Sequence, residues 1–466
     1  MTDARAAGRA PNALTSVSAG VSAPPPGPTA EPPVEGAGPG KLAALMITAF
    51  IDMVGLLMVI PLIPFYATHL GGTGIDVALG GWRYHLGIGQ ITALLVSAYT
   101  VAQLLSAPLW GRFSDRYGRR PALVVALAAS AIAYVIFGYA TSLVVLFLSR
   151  VVQGAGGGTV GVIQAYVADV ARPEDRAKSL GWLSAATNAG VALGPVIGSW
   201  MQGLGREAPG LFAAALCLVN ILFAWRFLRE SRELPVAAAP HAATTTGQHR
   251  AAAAKPRRSW AAVARVLTHP SEPESRLIAV YAIAIGAFQG VTSILALFLA
   301  ARYGVTEATI GYFFMYIGVI SVVTRAAILG KLVDRLGEAR LARLGLILMA
   351  LGLGLLPLTT NYVTLAAAVA LMPLGTAFTF PCVTAMLSHV IKKEERGLYM
   401  GVQQTFGGAS RAIFPIVAGL LYDYAGVGIP FVVAAACVGL AMLLGGDMRR
   451  YQRTTVTPAA PAAPAA

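Results

Sequence analysis

The chain has 466 residues, 56% of them hydrophobic and only 12% charged, with a mean hydropathy of +0.67 and a formal net charge of +14. No soluble domain hides that much apolar surface, so the composition excludes a water-soluble globular protein and places most of the chain in lipid. The basic residues are spread over many loops instead of gathering into a patch, which excludes nucleic acid as a partner despite a pI near 9.9.

Residues 1–40 are largely Ala, Pro, Gly and Ser with Arg5 and Arg9, lack the continuous apolar region of a secretory signal, and read as a disordered cytoplasmic tail. Apolar runs close to the roughly 20 residues that cross a hydrocarbon core of about 30 Å then recur. They fall near 42–67, 88–110, 121–140, 142–169, 179–201, 209–228, 277–301, 308–329, 344–360, 362–390, 398–421 and 429–446. Each must be helical, because backbone in lipid has to satisfy its own hydrogen bonds. The expected fold is an all-α integral membrane protein of about twelve transmembrane helices, with one six-helix bundle at 41–230 and a second at 275–447. Between them 231–274 reads as a cytoplasmic linker, where an amphipathic helix around Trp260–Leu267 competes with the plainer reading of solvated chain. Residues 448–466 read as a disordered cytoplasmic C-tail.

Charge sets the expected orientation. Of the 35 Lys and Arg, 29 fall on the side of the termini and the linker, and only Arg83, Arg206 and Arg302 fall on the other. By the positive-inside rule both termini are cytoplasmic. Arg150, Arg325 and Arg411 remain inside spans; Arg325 is close enough to Gly330 to snorkel to the cytoplasmic surface. His69 and His389 lie near span ends, where a surface-seeking role is the plain reading.

Chemical motifs are few. Cys217, Cys382 and Cys437 are far apart in apolar runs, giving neither a disulfide framework nor a metal site. Nucleophile elbows, HExxH and P-loops are absent, so neither an enzyme nor a cofactor is expected. The stretch from Gly156 to Gly161 formally matches GxGxxG but lies inside a membrane span, where close helix packing explains it better.

The informative signal is a repeat. Gly111-Arg112-Phe113-Ser114-Asp115-Arg116-Tyr117-Gly118-Arg119-Arg120 follows the second span as a charged turn, and Gly330-Lys331-Leu332-Val333-Asp334-Arg335-Leu336-Gly337 follows the eighth. The segment from Pro173 to Gly181 after the fourth span matches the one from Lys393 to Gly401 after the tenth, and Pro195 and Pro415 share a register in the helices that follow. Two parallel six-helix repeats make the architecture whose central cavity opens alternately to each side of a membrane, so transport follows more naturally than catalysis.

On these motifs the chain resembles the major facilitator superfamily over roughly residues 41–447. The 111–121 segment is similar to that superfamily's loop between spans two and three, and Arg150 to Gly154 to its fourth-span basic motif. Gly190, Gly194, Pro195 and Gly198 are similar to the fifth-span motif of antiporters. The resemblance points to twelve-span drug:proton antiporters of the tetracycline-exporter-like branch. It implies proton-coupled efflux of small amphipathic compounds, drug resistance included, by a monomer in the plasma (inner) membrane. Its partners would be a small-molecule substrate, protons and membrane lipid. It further implies a cytoplasmic gate in which Asp115, Arg119 and Asp169 hold the inner side shut, with Gly111, Arg116, Gly118, Arg120, Gly330, Asp334, Arg335 and Gly337 in the same turns. A substrate cavity lined by Gln153, Asn188, Tyr281, Phe288, Gln289, Tyr316, Gln403 and Gln404 follows by the same analogy, with core packing as the alternative for each. Tetracycline exporters carry acidic residues in their third and ninth spans; 121–140 and 344–360 contain none, which argues against tetracycline as substrate.

Asp52 is the acidic residue placed deep in a span, where a charge costs at least about 2.5–3.5 kcal/mol unless paired or protonated. At 1.5 Å per residue it lies roughly 15 Å from one face and Arg150 roughly 12 Å from the other, depths that nearly coincide in a core of about 30 Å. Asp52 with Arg150 and Arg411 is therefore the expected proton-coupling group, against a static ion pair as the alternative. A symporter importing a metabolite on the same fold is the competing function; a non-transporting sensor or scaffold would need a folded signalling domain that tails and linker do not supply.

Overall fold

The computed structural model describes residues 39–79, 82–172, 175–228, 230, 256–446 and 448. The expectations for both tails and for most of the 231–274 linker lie outside the described residues. Among the described residues, eleven helices are long and apolar enough to cross a membrane, and the shorter apolar helix Ile429–Leu444 follows them.

The first half contains α1 (Pro39–Val59), continued through a 3-10 turn at Ile60–Leu62 into α2 (Ile63–Gly71), then β1 (Gly74–Leu79), β2 (Trp82–Gly87), α3 (Ile88–Tyr117) and α4 (Arg119–Gly138). It ends with α5 (Leu143–Ala155), α6 (Thr159–Val170), α7 (Arg176–Gln202) and α8 (Ala208–Phe227). A connecting helix α9 (Pro256–Thr268) leads to α10 (Pro273–Tyr303), α11 (Glu307–Val323), α12 (Leu329–Leu336), α13 (Glu338–Leu355), α14 (Tyr362–Val390), α15 (Arg396–Tyr424) and α16 (Ile429–Leu444). The end where α3 meets α4 is called the basic end below, and the opposite one the hairpin end.

Four features depart from the sequence reading. The charged motifs are helical almost throughout: Gly111–Tyr117 is the last part of α3 and the segment from Gly330 to Leu336 belongs to α12. Only Gly118 (φ 100°) and Gly337 (φ 76°) turn the chain, in a left-handed region that costs glycine little, and the next helix starts at once. The fourth span breaks between α5 and α6, because Gly154, Gly156, Gly157 and Gly158 let neighbours come too close for any side chain. A Cβ on Gly154 would stand 2.2 Å from the Tyr99 carbonyl oxygen, and one on Gly158 2.3 Å from Trp110. An antiparallel hairpin pairs Gly74 with Gly87 and Leu79 with Trp82, which no span assignment anticipated. Finally, a π-helical segment at Thr324–Ile328 separates α11 from α12.

Helix α9 is a packed element, not solvated chain: Ala262 and Val266 are buried against α10 and α15, while Arg265 reaches Glu272 at 2.9 Å. That hydrogen bond holds the Glu272 carboxyl below its ordinary range. Within the first half α1 packs on α7 and α8, α3 on α5, and α4 on α8; within the second, α10 packs on α15 and α16, and α13 on α14 and α16. The halves meet through α3 with α15 and α7 with α11. The Gly190, Gly194 and Gly198 stripe seats α7 on α1, since Cβ atoms there would lie 2.7, 2.7 and 2.2 Å from backbone oxygens of Phe50, Val54 and Met58.

Candidate functional site

The hydrogen bonds that cross between the halves gather at the hairpin end. Asp423, in the last turn of α15, accepts the backbone N–H groups of Gly89 (2.9 Å) and Gln90 (2.8 Å), so a carboxylate from one half caps a helix N-terminus of the other. A Cβ on Gly89 would fall 2.8 Å from that carboxylate, which is why the first turn of α3 is glycine. The Gly311 N–H donates to Ser199 Oγ at 2.9 Å, the Trp200 indole to Tyr312 at 3.1 Å, and the Tyr424 hydroxyl to the His85 carbonyl at 3.3 Å; His69 pairs with Glu307. His69 is thus a partner across the closed end and not simply a surface residue. At mid-depth Ser97 donates to the Ala412 carbonyl at 2.7 Å and Arg325 to Asn188 at 2.9 Å.

Towards the basic end the halves leave a cavity of about 670 Å³ that runs from Thr100 and Arg411 at mid-helix to Ser114 and Arg119. A second cavity, of about 740 Å³, lies on the other side of α6 and is lined by Met53, Thr187, Asn188 and Val191. Val160, Gly161, Gln164 and Ala165 of α6 face both. Neither set of lining residues contains an acid.

Asp52 is buried, 8% exposed, and accepts a 2.7 Å hydrogen bond from Thr159, the first residue of α6. The glycine break in the fourth span is what puts this hydroxyl on the carboxylate. Its neighbours Met53, Gly158 and Val160 reach the cavities. The expected contact with Arg150 does not form. Arg150 is 1% exposed, lies 4.8 Å from the Phe137 ring centroid, and leaves Nη2 without a partner. Tyr99 and Tyr134 stand within electrostatic reach of both charges, and Tyr99 of Arg411 too. Acid and base are thus held apart in one buried neighbourhood.

At the basic end Arg119 pairs with Asp169 (2.8 Å) and Asp115 (3.1 Å) and also donates to Ser114 (2.9 Å). All of these residues belong to the first half, so these contacts brace α3, α4 and α6 together. Arg120 reaches the Trp225 carbonyl, and Arg116 lies 5.4 Å from the Tyr117 ring centroid. Glu230 accepts the N–H groups of Arg119 (2.9 Å) and Arg120 (3.1 Å), capping α4. In the second half Asp334 and Arg335 are exposed and, among the described residues, make no ion pair; Gly330 faces open space. Glu338 there meets His389 at 3.3 Å, so this histidine is a partner at the helix end.

Of the expected cavity residues, Gln404 and Asn188 line the two cavities. Gln403 is fully buried on Thr384, and Tyr281 packs edge-on against Phe380 at 5.4 Å, both inside helix packing. Tyr316 is 40% exposed and donates to the Ala366 carbonyl, Phe288 and Gln289 are half-buried on α10, and Gln153 is buried with neither amide atom bonded. Arg325 does not snorkel: it lies in the π-helical segment and turns to Asn188 in the other half. Asp423 and Glu230 were not anticipated, because a carboxylate that caps a helix distant in sequence leaves no local pattern. The hairpin did leave one, the alternation Ile75, Val77, Leu79 and Trp82, Tyr84, Leu86 about Gly80-Gly81.

Two six-helix repeats around a cavity that is closed at one end, with a buried acid behind its lining, define a membrane transporter. The family model described as Major Facilitator Superfamily matches residues 45–341 and again 277–464, and the chain belongs to that family. Among relatives, it is 25% identical over 402 residues to "Multidrug resistance protein 2" of Bacillus subtilis (strain 168), covering 86% of this chain and 92% of that one. It is 28% identical over 382 residues to "Tetracycline resistance protein, class G" of Vibrio anguillarum, covering 82% and 90%. The solved structure of the human organic anion transporter MFSD10 (TETRAN) matches with a TM-score of 0.61 at 22% identity, covering 89% of this chain and 100% of that one.

Proposed function

We propose that the protein is a proton-coupled antiporter that exports small amphipathic compounds, multidrug or metabolite, across the plasma (inner) membrane by alternating access. The observation that carries this reading is Asp52, a carboxyl buried in a spanning helix with one neutral donor, Thr159, and, among the described residues, no cation paired to it. A charge at such a depth costs several kcal/mol, so its proton occupancy follows any change in its surroundings. Rocking of the halves would make that change, since Thr159 sits beside the glycine break and next to residues of both cavities. The names of the drug-resistance relatives support export, as does the excess of Lys and Arg at the basic end, which by the positive-inside rule faces the cytoplasm together with both termini. The cavity as seen would then accept substrate from the cytoplasm, while Asp423 and its neighbours close the outside. The Asp115–Arg119–Asp169 cluster keeps the basic ends of three helices as one block, the surface the second half would meet when that end shuts. A single chain contains both halves and works as a monomer in lipid.

The test is transport in proteoliposomes with an imposed pH gradient and a panel of amphipathic dyes. Dye should move opposite to the protons, stop with a protonophore and stop in Asp52→Asn. Dye travelling with the protons would replace antiport by symport, and unchanged gradient-driven movement in Asp52→Asn would remove the coupling role of that residue.

A further inference from the structure

Arg411 lies midway along α15, half-buried, on the wall of the 670 Å³ cavity, and among the described residues it has no hydrogen-bond or ion-pair partner. A guanidinium at membrane depth is costly when nothing compensates it. The other deep arginines have local explanations: Arg150 stacks on Phe137 away from the cavities, and Arg325 is held by Asn188. Of the two arginines that line this cavity, Arg119 is paired with Asp169 and Asp115, whereas Arg411 has no such partner among the described residues. Beside it the lining offers neutral polar groups, among them Thr100 and Gln103 on α3 and Gln404, seven residues before Arg411 on the same face of α15. Asp52 does not answer it, being engaged by Thr159 behind the lining. Leu104, Ala107 and Pro108 supply an apolar strip along the same wall.

We propose that this cavity binds an amphipathic monoanion, a carboxylate, sulfonate or phosphate diester, with the anionic group on Arg411, the amides of Gln103 and Gln404 flanking it, and the apolar body along α3. Its volume is within the range of small-molecule sites, about 300–1,000 Å³. The inference deepens the export reading by naming a substrate class, and it is tested by binding alone, so that failure of either is seen separately.

Purified protein in neutral detergent is heated with a thiol-reactive dye, which reports unfolding through buried Cys217 and Cys382. The probes are aromatic monoanions (naphthalenesulfonate, naphthoate, diphenyl phosphate) beside their uncharged and ammonium counterparts. The anions should raise the melting temperature and the ammonium counterparts should not. Arg411→Gln should weaken the anion effect at least tenfold in midpoint concentration, Arg411→Lys should retain most of it, and the uncharged counterparts should behave alike in all three. Should Arg411→Gln fail to fold, Gln404→Glu, which places a carboxylate on the same wall, should give the same selective loss. No stabilisation by any anion, or equal midpoints in Arg411→Gln, overturns the proposal. Nanodiscs of phosphatidylcholine with or without phosphatidylglycerol identify the source: competition by the anionic lipid assigns the site to a headgroup, and its absence to a soluble anion, both on Arg411. Gradient-driven dye export without anion binding would sink this inference and leave the export reading standing; binding without export would do the reverse.

Discussion

The two halves repeat one backbone plan but exchange its details, most visibly where the first and fifth helices of each repeat pack. In the first half the small residues are on α7, where Gly190, Gly194 and Gly198 admit the backbone of α1. In the second they are on α10, where Gly286 and Gly290 admit Phe414, the residue that stands in the place of Gly194. The hole has moved to the other helix. The same inversion occurs at the basic end. Arg119, directly after Gly118, pairs with Asp169; Glu338, directly after Gly337, pairs with His389, which holds the same place before its matched segment as Asp169 does. Asp115 attracts Arg119 one turn on, whereas Asp334 stands the same distance from Glu338, a like charge. Close packing needs one small partner and one helix end needs an opposite charge, but neither demand says which helix supplies it.

Removing Phe414 should be the most damaging way to break this comparison: Phe414→Ala should cost about 3–5 kcal/mol by emptying the space between α10 and α15, read as a fall in melting temperature in detergent. Gly198→Ala, which forces a Cβ to within 2.2 Å of the Met58 carbonyl, should cost about 1–3 kcal/mol, whereas Gly401→Ala, with nothing within 4 Å, should be silent. Asp423→Asn keeps the shape of the α3 cap but loses its charge, worth about 1 kcal/mol. It should therefore raise labelling of Ser97→Cys from the hairpin side by roughly fivefold, as 1.4 kcal/mol is tenfold; unchanged labelling would remove Asp423 from the closure. At the basic end, Arg119→Asp should lower transport at least tenfold and Asp169→Arg in the same chain should restore part of it, a cycle that isolates the pair. Glu338→Gln should have a milder effect, since it removes only the carboxylate that meets His389. Glu272→Gln should do least, since the Arg265–Glu272 pair is exposed and solvent screens it. The sign follows from the depressed Glu272 carboxyl: whatever the pair contributes is present above the unfolded-state pKa and lost as pH falls through the folded one.

The sequence by itself determined the spans, the repeat and the class of protein. A helix that crosses lipid must be long, apolar and internally hydrogen-bonded, so its address is written in consecutive residues. It also picked out Asp52, Arg150 and Arg411 as costly charges, because a charge inside an apolar run stands out wherever its neighbours fold. Only the tertiary structure decided what those charges touch. Thr159 reached Asp52 because four glycines break the fourth span; Arg150 settled on Phe137; a π-helical segment turned Arg325 to Asn188. The carboxylates of Asp423 and Glu230 became caps for helices far away in the chain. Depth is a local property, set by position along one helix, whereas partnership depends on the rotation and approach of several helices, and those are fixed by packing that no single span encodes.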